Sequence, residues 1–379
     1  MKRLAIIGAS YLQEPLIRKA KEMGYETHVF AWKANDVGEL IADHFYPISI
    51  IEKDEILEVC RSLDLSGICT IASDLAVITV NYVASKLGLP CNSVETTLRS
   101  TNKHLMREAF AENGDPSPKS ILVNSVNDLD NVELSYPVIV KPLDRSGSRG
   151  ITKVFKEEQL SEAIESAKEQ GFEKSALVEE FAEGDEYSIE YISYRGKHHF
   201  LAMTKKYTTG DPHFIETGHL EPALVSDEIL CKVKTVVDHA LNTLGITNGA
   251  SHTEIKIDDN ECIKIIEIGG RMGGDFIGSD LVRISTGIDF VRAVIQVAVG
   301  QEPDLSPVCT PMVAGVRFVF KEEDILVYKN LFDNKPGLLV SSDIKEIDGE
   351  VKDSSTRFGY YLLASVDREE VERYMPCEI

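Results

Sequence analysis

The apolar segments of this chain follow one pattern up to about residue 101 and a different one after it. Before that point strand-like and helix-like segments alternate, with strands expected at residues 4–8, 27–32 and 67–72 and helices at 15–23 and 75–87. Strands that alternate with helices at this spacing predict an α/β unit with a parallel, doubly wound sheet. We therefore expect a Rossmann-like domain over residues 1–100.

The turn after the first strand differs from a dinucleotide-binding turn. Residues 8–14 read GASYLQE, without the G-x-G-x-x-G spacing that lets a backbone approach a pyrophosphate. This favours a structural layer with a small-molecule edge over a nicotinamide-dependent oxidoreductase.

After residue 101 the β segments come in hairpin-like pairs. We pair 138–141 with 151–155, 176–181 with 187–194, and 253–257 with 262–268, with helices over 157–170 and 227–244. This α+β pattern predicts a second domain over residues 101–300, followed by a small, mostly β segment over 301–379. The length agrees, because 379 residues exceed the roughly 250–300 that one hydrophobic core holds.

The net charge excludes two classes of partner. The chain has 40 Lys and Arg against 62 Asp and Glu, a formal charge of −22. Such a surface repels phosphate backbones and anionic lipid, so we expect no nucleic acid and no membrane as partner. The seven cysteines are scattered without a CxxC motif, which is typical of reduced thiols in a cytoplasmic protein.

A loop between two apolar strands carries glycine, serine and arginine. It runs from Lys141 to Gly150 with the sequence KPLDRSGSRG. Glycine permits close backbone approach, while serine, backbone N–H groups and arginine suit phosphate, so the loop fits a cover over phosphates. A solvated hairpin loop is the alternative, and the loop is no Walker A motif because no G-K-[ST] follows.

Carboxylates follow the next apolar strand. Glu179 and Glu186 flank a glycine turn in the segment 177–190, LVEEFAEGDEYSIE. A polar connection explains this pattern. Carboxylates at such a place also fit a site that accepts hydrogen bonds from an adenine amino group and ribose hydroxyls.

A predicted hairpin brings two further carboxylates together. If Ile257 pairs with Cys262 across the turn, Glu254 faces Ile265 and is a diagonal neighbour of Glu267 on one face. Two such carboxylates repel unless a positive group lies between them, and a hard cation such as Mg²⁺ suits their oxygens. Lys256, on the same face in this register, is the alternative counter-charge.

A glycine-rich loop follows this hairpin directly. Residues 269–275 read GGRMGGD, so four glycines surround Arg271. The guanidinium is a bidentate ligand for phosphate or carboxylate. We expect Arg271 to point toward whatever the two carboxylates hold.

These elements, in this order, resemble the ATP-grasp superfamily over nearly the whole chain. The start of the chain, with IIGAS at 6–10, resembles the domain that precedes the grasp in biotin-carboxylase-type members. Residues 101–107, TNKHLMR, resemble a helix whose lysine meets nucleotide phosphates, with Asn102 in place of the usual Asp. VIVKP at 138–142 resembles the strand with the second ATP lysine, and a lid subdomain is expected at about 115–180.

The resemblance implies a role for each matching residue. Glu179 would take the adenine amino group, Ala182 would offer its backbone, Glu186 would hold the ribose, and Arg271 would steady the transferring phosphate. Gly269 departs from the family, since many members have Asn there, which puts a second metal ion in doubt. The remaining assignments are phosphate contacts by Lys103, Lys141 and Lys206 (with Lys205 as alternative), a mobile cover formed by Ser146, Gly147, Ser148, Arg149 and Gly150, and binding of Mg²⁺ or Mn²⁺ by Glu254 and Glu267.

Three segments resemble the amino-acid ligase and carbamoyl-phosphate-synthase-like branch. They are FIETGHLEPA at 214–223, SHTE at 251–254 and IEIGGRMGGDFI at 266–277. The first makes His219 a catalytic or substrate-pocket candidate, although a core histidine is the alternative. The branch implies an ATP-dependent carboxylate–amine ligase that forms an acyl-phosphate intermediate. Its substrates would be small-molecule acids and amines, and its assembly would be a monomer or a homodimer. Purine-precursor or carbamoyl-phosphate chemistry and a non-catalytic ATP-binding protein are the other readings.

Overall fold

The first sheet of the molecule is parallel. The computed structural model describes residues 2–144, 150–211 and 213–376. Four strands pair in the order β3-β2-β1-β4, and the elements are β1 (Lys2–Ile7), α1 (Glu14–Glu22), β2 (Tyr25–Phe30), α2 (Val37–Ile41), β3 (His44–Tyr46), α3 (Lys53–Cys60), β4 (Leu65–Cys69) and α4 (Asp74–Leu87). The predicted parallel, doubly wound unit is confirmed.

Local signals fix the start and end of α4. Ser73 caps the helix by accepting a hydrogen bond from the backbone N–H of Ala76, and Gly88 ends it in the left-handed region at φ +69°. Asp74 is therefore the first residue of the helix, at the carboxyl end of β4.

A smaller antiparallel sheet forms a unit with its own core. Its strands pair in the order β5-β8-β6-β7, and Val140, Ile164 and Val178 are buried between the sheet and its helix. Two helices lead into it, and the elements are α5 (Val94–Thr101), α6 (Lys103–Asn113), β5 (Ser120–Val123), β6 (Val138–Pro142), β7 (Thr152–Val154), α7 (Leu160–Gln170) and β8 (Ala176–Glu180).

An antiparallel sheet of eight strands forms the centre of the molecule. Its order is β13-β12-β9-β10-β11-β14-β16-β15, so strands from the last 80 residues extend the same sheet. The elements are β9 (Asp185–Tyr194), β10 (Lys197–Thr208), β11 (Glu216–Glu221), α8 (Asp227–Leu244), β12 (Gly249–Ile257), β13 (Ile263–Gly269), α9 (Val282–Thr286), α10 (Phe290–Ala298), β14 (Val313–Phe318), α11 (Glu322–Asn334), β15 (Leu339–Ile344), β16 (Gly359–Ser365) and α12 (Arg368–Glu372).

One hydrophobic cluster joins the parallel sheet to the large sheet. Ile6 of β1, Ile192 of β9, Met272 and Phe290 belong to the same buried group. Because α10 packs between the two sheets, the carboxyl ends of β1 and β4 are held against the loop that follows β13. This packing brings the first domain to the candidate site.

One predicted strand pairing is wrong. Segments 176–181 and 187–194 do not form a hairpin, because β8 pairs with β5 and β6 while β9 pairs with β10 and β12. Gly184, at φ +100°, lets the chain cross from one sheet to the other there. The pairing of 138–141 with 151–155 is confirmed in the β6–β7 ladder.

The register of the β12–β13 hairpin also differs from the prediction. Ile257 pairs with Ile263 rather than Cys262, and a bulge between Glu254 and Ile255 shifts the ladder again. Glu254 and Glu267 are therefore directly opposite each other, not diagonal neighbours. A bulge of this kind re-aims a side chain without changing the hydrophobic pattern, so alternation alone does not locate it.

The last segment contains helices α11 and α12 besides its three strands, which the sequence pattern did not indicate. Domain boundaries at residues 100 and 300 stay predictions. Among the described residues, no helix is both long and apolar enough to cross a membrane.

Replacing Gly184 with Ala is expected to destabilise the fold. A Cβ there would lie 2.1 Å from the carbonyl oxygen of Ile257, and φ is +100°. We expect a loss of about 3–5 kcal/mol in the free energy of unfolding, from overpacking and left-handed strain together. Gly196→Ala is the matched control, because φ is +78° and nothing lies within 4 Å of its Cβ position. Its expected cost is about 1–2 kcal/mol. Equal losses of unfolding free energy for the two variants, measured by urea unfolding, would show that the steric clash at position 184 does not contribute.

Candidate active site

A buried lysine lies at the centre of the charged face of the large sheet. Lys206 of β10 places its Nζ 2.7 Å from Glu186 Oε1 of β9, 2.7 Å from Glu254 Oε1 of β12 and 3.8 Å from Glu216 Oε1 of β11. Burial alone would lower the pKa of Lys206, but the three carboxylates raise it well above its ordinary value. The side chain is therefore a fixed cation.

A second lysine, on helix α6, contacts strand β13, the neighbour of β12 in the large sheet. Asn102 caps that helix by accepting from the N–H groups of His104 and Leu105, so Asn serves here as Asp would. Lys103 is the next residue, and its Nζ lies 2.7 Å from Glu267 Oε1 of β13. Burial alone would lower the pKa of Lys103, but the carboxylates of Glu267, Asp74 and Glu254 together raise it above its ordinary value.

A buried trio lies behind these groups. Lys141 Nζ is 2.7 Å from Glu179 Oε2, and Arg107 donates to both oxygens of the same carboxylate at 2.9 and 3.2 Å. Arg107 also donates to the carbonyl of Ile266 at 2.7 Å. Burial would raise the pKa of Glu179, but the two cations lower it to about 2. Glu179 is therefore an ionised carboxylate with both oxygens engaged.

The two predicted metal carboxylates come together across the β12–β13 ladder. Glu254 and Glu267 are cross-strand partners, and each contacts one lysine. Carboxylate oxygens in this arrangement suit a hard dication such as Mg²⁺ or Mn²⁺. The donor set therefore fits the metal that the sequence predicted.

His252 braces one of these carboxylates. Its Nδ1 makes a short hydrogen bond with Glu190, whose other oxygen accepts from the N–H of Gly273, and its Nε2 lies 3.5 Å from Glu254 Oε1. Burial would lower the pKa of His252, but Glu190 raises it to about 9. The imidazolium thus ties the Gly273 loop to β12.

Arg271 is held by a residue of the first domain. Its Nε and Nη2 donate to the two oxygens of Asp74 at 2.9 and 3.0 Å. A Cβ at position 269 would lie 2.8 Å from Asp74 Oδ1, so the carboxylate occupies the space that a side chain there would need. Gly269 and the Asp74–Arg271 pair therefore depend on one another.

His219 lies in a different cluster, at the far side of Lys206. It is buried on β11, its Nε2 is 4.0 Å from Asp275 Oδ2, and its Nδ1 has no hydrogen-bond partner among the described residues. Burial lowers the pKa of this imidazole. Arg357, from the last segment, donates to both Asp275 oxygens at 2.7 Å and stacks 3.6 Å from the Phe318 ring.

Two cavities meet at these side chains. The first, of about 640 Å³, has apolar walls that include Ile139, Phe181 and Phe214. The second, of about 820 Å³, is lined by groups such as Tyr11 and Arg271. Both cavities are lined by Lys206, Glu216 and Glu254. A ligand in one cavity can therefore reach a ligand in the other at the Lys206 cluster.

Most predicted site residues line these two cavities. Glu179, Ala182 and Glu186 line the first, while His219 and Arg271 line the second. Gly150 lies beside the four-stranded antiparallel sheet, where its Cβ position would be 2.9 Å from Pro142 of β6. The other predicted cover residues, Ser146, Gly147, Ser148 and Arg149, lie outside the described residues. The roles assigned to all of these residues stay predictions.

Sequence reasoning missed four residues that position the other side chains of the candidate site. Asp74 and Arg357 reach the site from the first domain and the last segment, and no spacing in the sequence signals either of them. Arg107 and Glu190 had weak signals: Arg107 follows Lys103 by four residues on one helix face, and Glu190 closes the acidic segment 177–190.

Comparisons with known proteins agree with this geometry. Residues 134–280 match the family described as an ATP-grasp domain. Alanine–anticapsin ligase of Bacillus amyloliquefaciens is 27% identical over 310 residues, which are 72% of this chain and 65% of that protein. D-alanine–D-alanine ligase of Flavobacterium johnsoniae is 29% identical over 291 residues, covering 69% of this chain and 87% of the relative.

Solved structures extend the likeness to nearly the whole chain. The crystal structure of an L-amino acid ligase from Bacillus licheniformis superposes with a TM-score of 0.83 at 24% identity, covering 99% of this chain and 96% of the other. This likeness shows the ATP-grasp fold. The chain spans somewhat less than two thirds of the alanine–anticapsin ligases, 65% and 58% of their lengths.

Glu221 gives the stability of the protein a pH dependence. This carboxyl group is fully buried on β11 with hydroxyl donors from Thr204 and Ser285, and burial raises its pKa from 4.5 to about 7. Because the folded state holds the proton more tightly, stability falls as pH rises from 4.5 to 7. Glu221→Gln should remove this loss, roughly 3 kcal/mol.

The check is urea unfolding of wild type and variant at pH 5 and pH 8. We expect Glu221→Gln to gain stability relative to wild type at pH 8 and to gain little at pH 5. Glu302→Gln, at an exposed position, is the control. A parallel pH dependence in all three proteins would show that Glu221 titrates normally.

Proposed function

We propose that this chain, whose residues 134–280 match the ATP-grasp domain family, is an ATP-dependent carboxylate–amine ligase acting on amino acids or similar small metabolites. The observation that carries the proposal is the junction of the two cavities at Lys206, Glu216 and Glu254. One cavity fits a nucleotide and the other a small acid, so the γ-phosphate and the substrate carboxylate meet where the charges are concentrated.

The nucleotide fits the first cavity by the chemistry of its walls. Phe181 and Phe214, with ring centroids 6.2 Å apart, offer apolar surface for adenine. Glu186 is assigned to the ribose and the backbone of Ala182 to the base edge. Lys103, Lys141 and Lys206 would offset the charge of the phosphates.

Glu179 receives a different role from the one predicted. Both of its oxygens bond to Arg107 and Lys141, so its carboxylate is committed before any adenine arrives. We assign to Glu179 the positioning of Lys141, and the adenine amino group would instead meet backbone acceptors of the 179–182 segment.

Glu254 and Glu267 would hold Mg²⁺ or Mn²⁺. When bound, the metal neutralises charge on the phosphate oxygens. Lys206 and Lys103, which contact these carboxylates, would offset the charge of the phosphates beside it. His252 keeps Glu254 oriented through its second nitrogen.

The reaction that this site supports has two steps. A substrate carboxylate oxygen attacks the γ-phosphorus, a new O–P bond forms, and the bond to the β-phosphate oxygen breaks to release ADP. An amine then attacks the acyl carbon, loses a proton, and expels inorganic phosphate, leaving an amide. Arg271, fixed by Asp74, would stabilise the charge on the phosphoryl group and on the tetrahedral oxygen.

Removal of one carboxylate proposed to bind the metal ion distinguishes a ligase from a protein that only binds the nucleotide. Glu267→Gln is expected to lower ADP release with acid–amine pairs by about 100-fold, since charge stabilisation at the phosphates is lost, while ATP binding by calorimetry persists. Glu261→Gln removes a carboxylate that pairs with Lys232 on an exposed turn, and it should leave the rate unchanged. If a folded, ATP-binding wild type releases no ADP with any of the amino-acid pairs, the ligase proposal fails.

A second variant tests the contribution of the first domain. Asp74→Asn should lower kcat by about 10- to 100-fold, because Arg271 loses its ion pair and its orientation. The KM for ATP should change little, since Asp74 lines the second cavity and not the first. Asp54→Asn, which removes the charge of the carboxylate that accepts from the Tyr82 hydroxyl on the surface of the same domain, is the control. Equal kcat values in the two variants would show that the orientation of Arg271 by Asp74 does not contribute to catalysis.

A further inference from the structure

A group of metal-ligand side chains lies in the first domain, outside the candidate active site. Glu26 and His28 are on β2, and His44 is the first residue of β3. One ligand atom from each lies within 4.8 Å of the other two. His28 and His44 are register partners on the two parallel strands, and their rings stack with centroids 4.6 Å apart.

The group is at the opposite end of the parallel sheet from the catalytic side chains. Tyr11 and Asp74 follow the carboxyl ends of β1 and β4 and line the second cavity. Glu26 and His44 are near the amino ends of β2 and β3. Because the strands are parallel, these positions belong to opposite edges, so the group is not part of the proposed ligase site.

The distances are close to those of a tetrahedral metal site. His44 Nε2 lies 2.8 Å from Glu26 Oε1, and His28 Nε2 lies 3.8 Å from the same oxygen. Ligand atoms around a tetrahedral Zn²⁺ are about 3.3 Å apart, given bonds of about 2.0–2.1 Å. Both distances to the Glu26 oxygen differ from this spacing by about half an ångström.

One of the three ligand atoms is unsatisfied. His28 is 2% exposed, and its Nε2 has no hydrogen-bond partner among the described residues. A buried polar atom without a partner is costly and is a sign of a missing ligand or ion.

Neighbouring groups orient two of the ligands. The Nδ1 of His28 hydrogen-bonds with the Tyr46 hydroxyl at 3.0 Å, which leaves Nε2 toward Glu26. Arg3 donates to Glu26 Oε2 at 3.2 Å and is itself fixed by the Leu63 carbonyl at 2.8 Å. The carboxylate therefore keeps Oε1 toward the histidines, as outer partners of metal ligands do.

We propose that Glu26, His28 and His44 bind a late first-row divalent cation such as Zn²⁺, with solvent at the fourth position. Two imidazoles and one carboxylate select zinc-like ions over Mg²⁺, which prefers an all-oxygen site. The His44 side chain is 48% exposed, which gives the ion a path from solvent. The bound ion would fasten edge strand β3 to β2.

The test uses the full chain, stripped with a chelator and kept in excess Mg²⁺ so that oxygen-only sites are filled. Co²⁺ is added as a coloured stand-in for Zn²⁺ and followed by its visible absorption. We expect one equivalent to bind with a tetrahedral spectrum, and Zn²⁺ to displace it. His44→Ala and Glu26→Gln should each weaken binding by at least about 10-fold.

His239→Ala is the matched control, because His239 also pairs with a carboxylate, Asp115, and is largely exposed. It should bind Co²⁺ as wild type does. Circular dichroism verifies that the variants fold, and Zn²⁺ should raise the Tm of wild type and not that of His44→Ala. No stoichiometric binding by wild type at micromolar Co²⁺, or undiminished binding by both ligand variants, would overturn the proposal.

Discussion

The buried ammonium group of Lys206 is the contact on which the site depends. It touches Glu186 and Glu254 and approaches Glu216, so one cation on β10 holds carboxylates from three other strands. A buried charge is tolerated only when paired, and a cluster of carboxylates needs a cation as much as the cation needs them. The register of β9 to β12 is thus tied to an electrostatic balance as well as to hydrophobic packing, in a chain whose formal net charge is −22.

Much of the architecture follows from local sequence, and the parts that do not follow have physical reasons. The helix predicted over 227–244 has those bounds in the structure, because Ser226 caps its start and Gly245 its end. The turn at Gly184 looked like a hairpin because two apolar strands flank it. Its chain crosses instead between two sheets, which depends on packing against the distant backbone of Ile257.

The candidate site also contains residues that the sequence indicates and residues that it does not. The sequence indicates Lys103, Lys141, Glu254 and Glu267 as candidates because each lies in a compact motif. Asp74 stands 197 residues from Arg271 and is invisible to spacing arguments. The direct opposition of Glu254 and Glu267 depends on a bulge, which sequence alternation does not record. Motifs therefore indicate which side chains carry charge, and only the assembled sheets show which residues hold them in place.

The missing side chain at Gly269 has an evolutionary consequence. A Cβ there would meet Asp74 Oδ1 at 2.8 Å, so positions 74 and 269 compete for one volume although they lie in different domains. A side chain at 269 would push the Asp74 carboxylate from its present position and weaken its ion pair with Arg271. In chains of this architecture, a larger residue at 269 should accordingly accompany a different anchor for Arg271.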